Sequence, residues 1–296
     1  MSKERKRKLF LTALAFMLPF LILYTAFTIW PIVQGFYVSL HKWGLMGKQR
    51  FIGFENYTKF LSDKKFWMAL SNTCKFVIIT VPLLVIFALI LALLANRCTR
   101  MKKGLRIAYF LPGVLSVSVA SFVAKYTFTP YTGLVNGVLH QLHLIPADTE
   151  FQFLMDSKLV WVTISSMTVW WTIGFSMMLY ISALQDIDLG LYEASAIDGA
   201  NARQQLFKIT LPLLKPTTYL VILLQLIACF KVFGQIQLIT NGGPAGSTKP
   251  LIQYIYEAAF QKNKLGYAAA MSYVLFGILL VLSLAQMLIQ KRGGDR

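Results

Sequence analysis

Six stretches of this chain are apolar on all sides of a helix, with polar residues gathered between them. They run approximately Leu9 to Val33, Phe76 to Ala95, Ile107 to Phe128, Leu159 to Leu184, Thr217 to Thr240 and Ala268 to Ile289. A helix rises 1.5 Å per residue, so about 20 apolar residues cover the roughly 30 Å of hydrocarbon in a bilayer. The pattern therefore predicts an all-α membrane protein with six transmembrane helices. Pro19 and Pro31 punctuate the first stretch and Pro82 the second, and Pro112 lies near the start of the third. Membrane helices tolerate such residues when neighbours satisfy the freed carbonyls, which argues for a packed bundle. One membrane domain, residues 9–290, fills the chain between a basic N-terminus, 1–8, and a short C-terminus, 291–296.

The connections differ in character. After the first span, "FENYTKFLSDKKFWMALSNT" sets Phe54, Tyr57, Phe60 and Leu61, then Phe66, Trp67 and Leu70, at helical spacing among lysines, which predicts an interfacial helix. After the fifth span, "TNGGPAGSTKP" is dense in turn formers and predicts an irregular excursion. Residues 186–216 form a mixed polar insertion between two long apolar runs. There Asp188 is placed to cap a helix carrying Leu191, Tyr192, Glu193 and Ala196, and Gly199 supplies the stop. Asn201 followed by Gln204 has the form of a capping box, opening a second short helix through Phe207, Lys208 and Ile209, with Pro212 and Pro216 limiting its continuation.

Composition agrees with this pattern, at 56% hydrophobic and 14% charged residues. The formal charge of +17 raises nucleic acid as a partner, but the basic residues are spread over the connections, which argues against it. "MSKERKRK" resembles the start of a secretory signal, yet the apolar run continues too far and lacks a small-x-small cleavage site, so an uncleaved first span is the better reading. With the N-terminus inside, Lys and Arg number 16 on inner segments and 11 on outer ones. The positive-inside rule then places both termini in the cytoplasm. Cys74, Cys98 and Cys229 fall on the outer side, the inner side and within a span, an arrangement that argues against a disulfide framework. His140 and His143 form an isolated H-x-x-H with too few companions for a metal site.

The segment around Glu193 carries a resemblance. "EASAIDGANARQQLFKITLPL" resembles the cytoplasmic EAA loop of ATP-binding-cassette importer permeases. "GFENYTKFL", "FLPGVLSVSVAS", "PYTGLVNGVL", "TNGGPAGSTKPLIQYIYEAAF" and "LGYAAAMSYVLFGILL" are similar to landmarks of the maltose-type carbohydrate permeases, in order along nearly the whole chain. The resemblance implies a type I ABC importer permease fold with cytoplasmic EAA coupling helices. It also implies a second homologous permease, a dimeric cytoplasmic ATPase that holds ATP and magnesium, and an extracytoplasmic binding protein that delivers a sugar. Glu193 would make the main charged contact with the ATPase, while Ala194, Ala196, Asp198 and Gly199 shape the joint. Ser195 stands where many relatives have alanine, a small-for-small exchange expected to be harmless. Gly234 stands where many have an acidic residue, so the fifth span gives no guide to the substrate.

Sugars are held by stacking faces and hydrogen bonds. Gln225, Lys231 and Gln235 lie in or near the fifth apolar stretch, where polar groups are costly unless they face an interior or a cavity. Lys231 and Gln235, four apart, would share a helix face toward the pathway, or else tie this chain to a partner permease. Trp170 and Trp171 are candidates for stacking on a sugar, with packing in the core as the alternative. The chain has no G-x-x-x-x-G-K-[ST] loop, and "GLMGKQR" is too short to be one, so ATP chemistry belongs to a partner and this subunit is not an enzyme. A permease for glycerol phosphate or a polyol, and more remotely a self-sufficient secondary transporter, remain the alternatives; the spans carry no acidic residue at their middles for ion coupling.

Overall fold

The computed structural model describes residues 3–97, 102–146 and 148–294. Cys98, Arg100 and Arg296 lie outside the described residues. Among the described residues, four helices are long and apolar enough to cross a membrane: Lys3–Ser39, Lys64–Asn96, Leu159–Gln185 and Leu265–Lys291. Two bent helix pairs bring the number to six if each makes one crossing.

The described chain divides into two compact units. The first takes in Met1–Asp63 and Ile255–Gly277. Its helix α1 (Lys3–Ser39) contains a π turn over Thr25–Ile29 just before Pro31. Proline has no N–H and crowds the carbonyl four residues back, and the wider turn relieves that crowding. A hairpin follows, β1 (His41–Gly44) paired antiparallel with β2 (Gly47–Phe51), with a register shift between Lys42 and Trp43. This small sheet adds to an otherwise helical fold. Helix α2 (Glu55–Leu61) then sends the Asn56 amide back to the carbonyls of Ser39 at 2.8 Å and His41 at 3.1 Å. The interfacial helix expected to run on through Leu70 therefore stops early. Phe66, Trp67 and Leu70 belong instead to the first turns of α3 (Lys64–Arg97), where Phe66 is buried and Trp67 exposed.

The second unit comprises Lys64–Tyr254 and Ile278–Arg296. Along α3, Leu84, Ala88, Ala92 and Ala95 recur every three or four residues and are buried against α7 (Leu159–Gln185). Small side chains at that spacing let two helices approach closely, which matters in lipid, where packing rather than water expulsion drives association. Between them, the third apolar stretch does not form one straight helix. It divides into α4 (Lys102–Phe110), a 3-10 turn at Leu111–Val114, and α5 (Val117–Thr127), bent by 101°. Pro112 removes a donor from the turn, Leu115 and Ser116 are extended, and the Ser116 hydroxyl accepts from Val119 N to start α5. The Leu115 carbonyl left at the break accepts from the Trp171 indole at 3.1 Å, as a carbonyl away from water requires.

After a short helix α6 (Leu134–Gln141) and the central α7, the chain forms α8 (Leu189–Ile197) and α9 (Ala202–Leu213). Helix α10 (Lys215–Phe230) follows at a 59° bend, with Pro216 at its start. The fifth stretch, expected as one helix to Thr240, ends at Phe230. Lys231 caps it, Phe233 takes φ −148° and ψ −67°, and α11 (Gly234–Ile239) sets off as a separate helix. The segment Thr240 to Pro250 is irregular as expected, with Asn241, Gly242, Ala245 and Gly246 all at positive φ. The Asn72 amide holds it to α3 by donating to the Gly246 and Lys249 carbonyls. The last elements are α12 (Leu251–Tyr256), leading into a π turn at Glu257–Gln261, and α13 (Leu265–Gly294).

Candidate functional site: a stapled helix pair and the polar positions of the spans

The polar insertion after α7 folds as a helix, a glycine turn and a second helix. Asp188 accepts from Gly190 N at 2.9 Å and so caps α8, because its carboxylate satisfies an amide that has no partner within the helix. Gly199 closes α8 at φ +80°, a conformation that costs any other L-residue. Asn201 and Gln204 form the full capping box, with Asn201 N to Gln204 Oε1 at 2.8 Å and Gln204 N to Asn201 Oδ1 at 2.9 Å. Both cap assignments made from the sequence are met atom for atom.

The two helices are also fastened to each other. Gln205 donates to the Tyr192 carbonyl at 3.2 Å and to the Ser195 hydroxyl at 3.0 Å. The Tyr192 and Thr210 hydroxyls meet at 2.9 Å. Ser195 donates in turn to the Tyr192 carbonyl at 2.9 Å, so its hydroxyl takes part in a fastening that an alanine could not make. A π turn at Leu206–Thr210 precedes Pro212, as another precedes Pro31. Beneath the pair lies a cavity of about 200 Å³ bordered by Asn96, Leu184, Tyr192, Gln205 and Thr210.

The opposite side of α8 is bare. Leu189, Glu193 and Ile197 are spaced four apart on one helix face, Leu189 and Ile197 are 73% and 87% exposed, and Glu193 stands between them. Ala194, Ala196, Asp198 and Gly199 are exposed as well. A carboxylate flanked by two apolar knobs, on a helix pair that is capped and tied internally, suits insertion into a partner's cleft.

The polar positions of the spans are placed differently. Gln225 and Gln235 are both buried, and both donate to α7: Gln225 to Ser176 Oγ at 2.8 Å and Gln235 to Thr168 Oγ1 at 2.9 Å. Lys231 is exposed at the cap of α10. Because the helix breaks between Lys231 and Gln235, their four-residue spacing does not put them on a common helical face. Trp170 is 43% exposed and borders an apolar cavity of about 520 Å³ with Leu83, Phe87, Tyr109 and Val162. Trp171, by contrast, is committed to the Leu115 carbonyl. Away from these residues, His140 Nε2 lies 3.1 Å from Glu150 Oε1, while His143 sits in a turn at φ +53°. Cys74 and Cys229 are free thiols.

Tyr192–Thr210 and Gln205–Ser195 were not singled out as couples in the sequence. The available signal was the presence of hydroxyl and amide side chains at Tyr192, Ser195, Gln205 and Thr210.

Comparison with known proteins places this architecture. Residues 59–293 match the family of binding-protein-dependent transport system inner membrane components. The chain is 33% identical over 283 residues to the probable ABC transporter permease protein YurN of Bacillus subtilis, covering 95% of this chain and 96% of that one. It is 34% identical to the lactose transport system permease protein LacF of Rhizobium radiobacter, covering 92% of this chain and 91% of that one. In fold it is similar, with a TM-score of 0.82, 25% identity and 98% of each chain covered, to a chain of a bacterial ABC transporter involved in the import of the acidic polysaccharide alginate. The chain belongs to the family of binding-protein-dependent transport system inner membrane components and has the type I ABC importer permease fold.

Proposed function

We propose that this inner membrane component carries a sugar or oligosaccharide through the membrane as one of two homologous permease subunits, driven by a dimeric cytoplasmic ATPase. The observation that carries the reading is the α8–α9 pair. Two capped helices fastened by Gln205 and by Tyr192–Thr210 move as one body, and they present Glu193 between Leu189 and Ile197. Such a body transmits the closure of the ATPase to α7 and α10, the helices at its two ends. ATP and magnesium would sit on the ATPase, and this chain would do no chemistry of its own. An extracytoplasmic binding protein would deliver the solute. The excess of Lys and Arg on the N-terminal segment, the second and fourth connections and the C-terminal segment, 16 against 11 on the others, supports cytoplasmic termini and a cytoplasmic α8–α9 pair.

A sugar as cargo is supported by the lactose and alginate systems to which the chain is similar. Gln225 and Gln235 would hold the fifth span against α7, and Trp170 is the aromatic ring free to face a pathway shared with the second permease. The exposed Lys231 at the helix break favours a second reading, an anionic solute such as an acidic saccharide or a phosphate ester.

Glu193→Lys tests the docking role. Reversing the charge at a paired interface position costs about 2–5 kcal/mol, so uptake of the transported solute should fall by at least about tenfold while the chain remains inserted at its normal level. Uptake at the unaltered rate in a normally inserted variant would remove Glu193 from the joint.

A further inference from the structure

The first unit holds a polar pocket that the transport reading leaves unused. About 410 Å³ in volume, it is rimmed by Lys42, Arg50, Lys59, Lys262 and Lys264, with Glu55 the one carboxylate among its lining residues. Its floor is already spoken for. Both donor contacts of Asn56 go to the Ser39 and His41 carbonyls, and His41 Nδ1 meets the Tyr37 carbonyl at 2.6 Å. The floor is therefore fixed, and of the rim cations Lys59 also lies over the Tyr267 ring, 5.9 Å from its centroid.

Chain continuity sets its depth. The pocket lies where α1 ends at Ser39 and α13 begins at Leu265, one membrane helix leaving the hydrocarbon and another entering it. Ser39 lies six residues past the apolar stretch that ends at Val33, and Leu265 three before the one that begins at Ala268, so at 1.5 Å per residue the pocket falls within about 10 Å of the hydrocarbon edge, the depth of lipid headgroups. The same hairpin and short helix expose Leu45, Met46, Phe51 and Phe54, side chains suited to the boundary between headgroup and acyl chain. Five cations facing one carboxylate in a concave space repel one another and focus a positive field, and both effects are relieved by a bound anion.

We propose that this pocket is a binding site for an anionic phospholipid, with the headgroup phosphate among Lys42, Arg50 and Lys264 and the acyl chains along the exposed apolar residues of the hairpin. The site is independent of which solute the chain transports. Its recognition is of a phosphate diester, which a soluble phosphate could mimic, but the depth of the pocket and the apolar residues beside it favour the lipid.

The test uses the full chain purified with the subunits that stay bound, delipidated, and titrated with phosphatidylglycerol or phosphatidylcholine while retained lipid is read by native mass spectrometry. A basic side chain near an anionic headgroup contributes about fivefold to binding. Phosphatidylglycerol should therefore be retained preferentially, and the Lys42→Ala/Arg50→Ala/Lys264→Ala variant should bind it roughly a hundredfold more weakly. The charge-preserving Lys42→Arg/Arg50→Lys/Lys264→Arg variant should keep it. Equal retention of the two lipids by the unaltered protein would overturn the proposal without any variant having to fold. So would undiminished phosphatidylglycerol binding by the alanine variant. Displacement by inorganic phosphate at a concentration comparable to that of the lipid would make it a site for a free anion instead. Loss of the solute-binding protein from the alanine variant with lipid retention unchanged would make it a protein contact.

Discussion

Gly174, in the middle of α7, has no room for a side chain: an added Cβ would lie 2.3 Å from the Tyr109 carbonyl oxygen and 2.7 Å from the Phe110 Cα. Both neighbours are backbone, so neither can rotate away, and α4 can approach α7 this closely because α7 is bare at this point. Overfilling a packed contact costs about 1–3 kcal/mol. Gly174→Ala should lower the thermal midpoint of the purified protein by several degrees, and an unchanged midpoint would show that α4 is not pinned there. Residue-level features divide sharply in how legible they are. Gln225 and Gln235, amides in apolar sequence, announced that they needed partners. The partners, Ser176 and Thr168, are 49 and 67 residues away, and nothing local marks them.

Among the elements, the α8–α9 pair was readable because caps are local: Asp188, Gly199, Asn201 and Gln204 satisfy amides or set φ within a few residues of themselves. The fastening between the helices was not, since Gln205 reaches Ser195 across the turn. Gln205→Ala removes two hydrogen bonds, together worth roughly 1–3 kcal/mol, and leaves both caps intact. The expected result is uncoupling: solute uptake drops several-fold while ATP hydrolysis by the assembled complex persists. A variant that transports normally, or that loses hydrolysis and uptake in equal measure, would place the transmission elsewhere. The broken spans follow the same division. Pro112 flagged a disturbance in the third stretch, but the Trp171 indole that satisfies the Leu115 carbonyl at the 101° bend lies 56 residues away. The break at Lys231 to Phe233 carries neither Pro nor Gly before Gly234, so the spacing of Lys231 and Gln235 read as one continuous face.

At the scale of the molecule, the second unit is centred on α7, with half of its span window buried, while none of the corresponding window of α1 is buried. An apolar helix exposed all round within its own chain is covered by lipid or by another subunit. Gentle extraction should recover this chain with a second permease and an ATPase, and reconstituted uptake should stop when ATP is omitted. Recovery of the chain alone, transporting without ATP, would favour a secondary transporter. The sequence by itself determined the helical class, the apolar lengths that cross a bilayer, the capped insertion and the family, because each rests on composition and spacing within a few turns. Only the tertiary structure decided where spans bend, which amides tie α10 and α11 to α7, that a hairpin rather than a longer helix follows α1, and that five cations gather at one pocket. Those outcomes depend on atoms far apart in the chain, and distant partners leave no periodicity in the sequence.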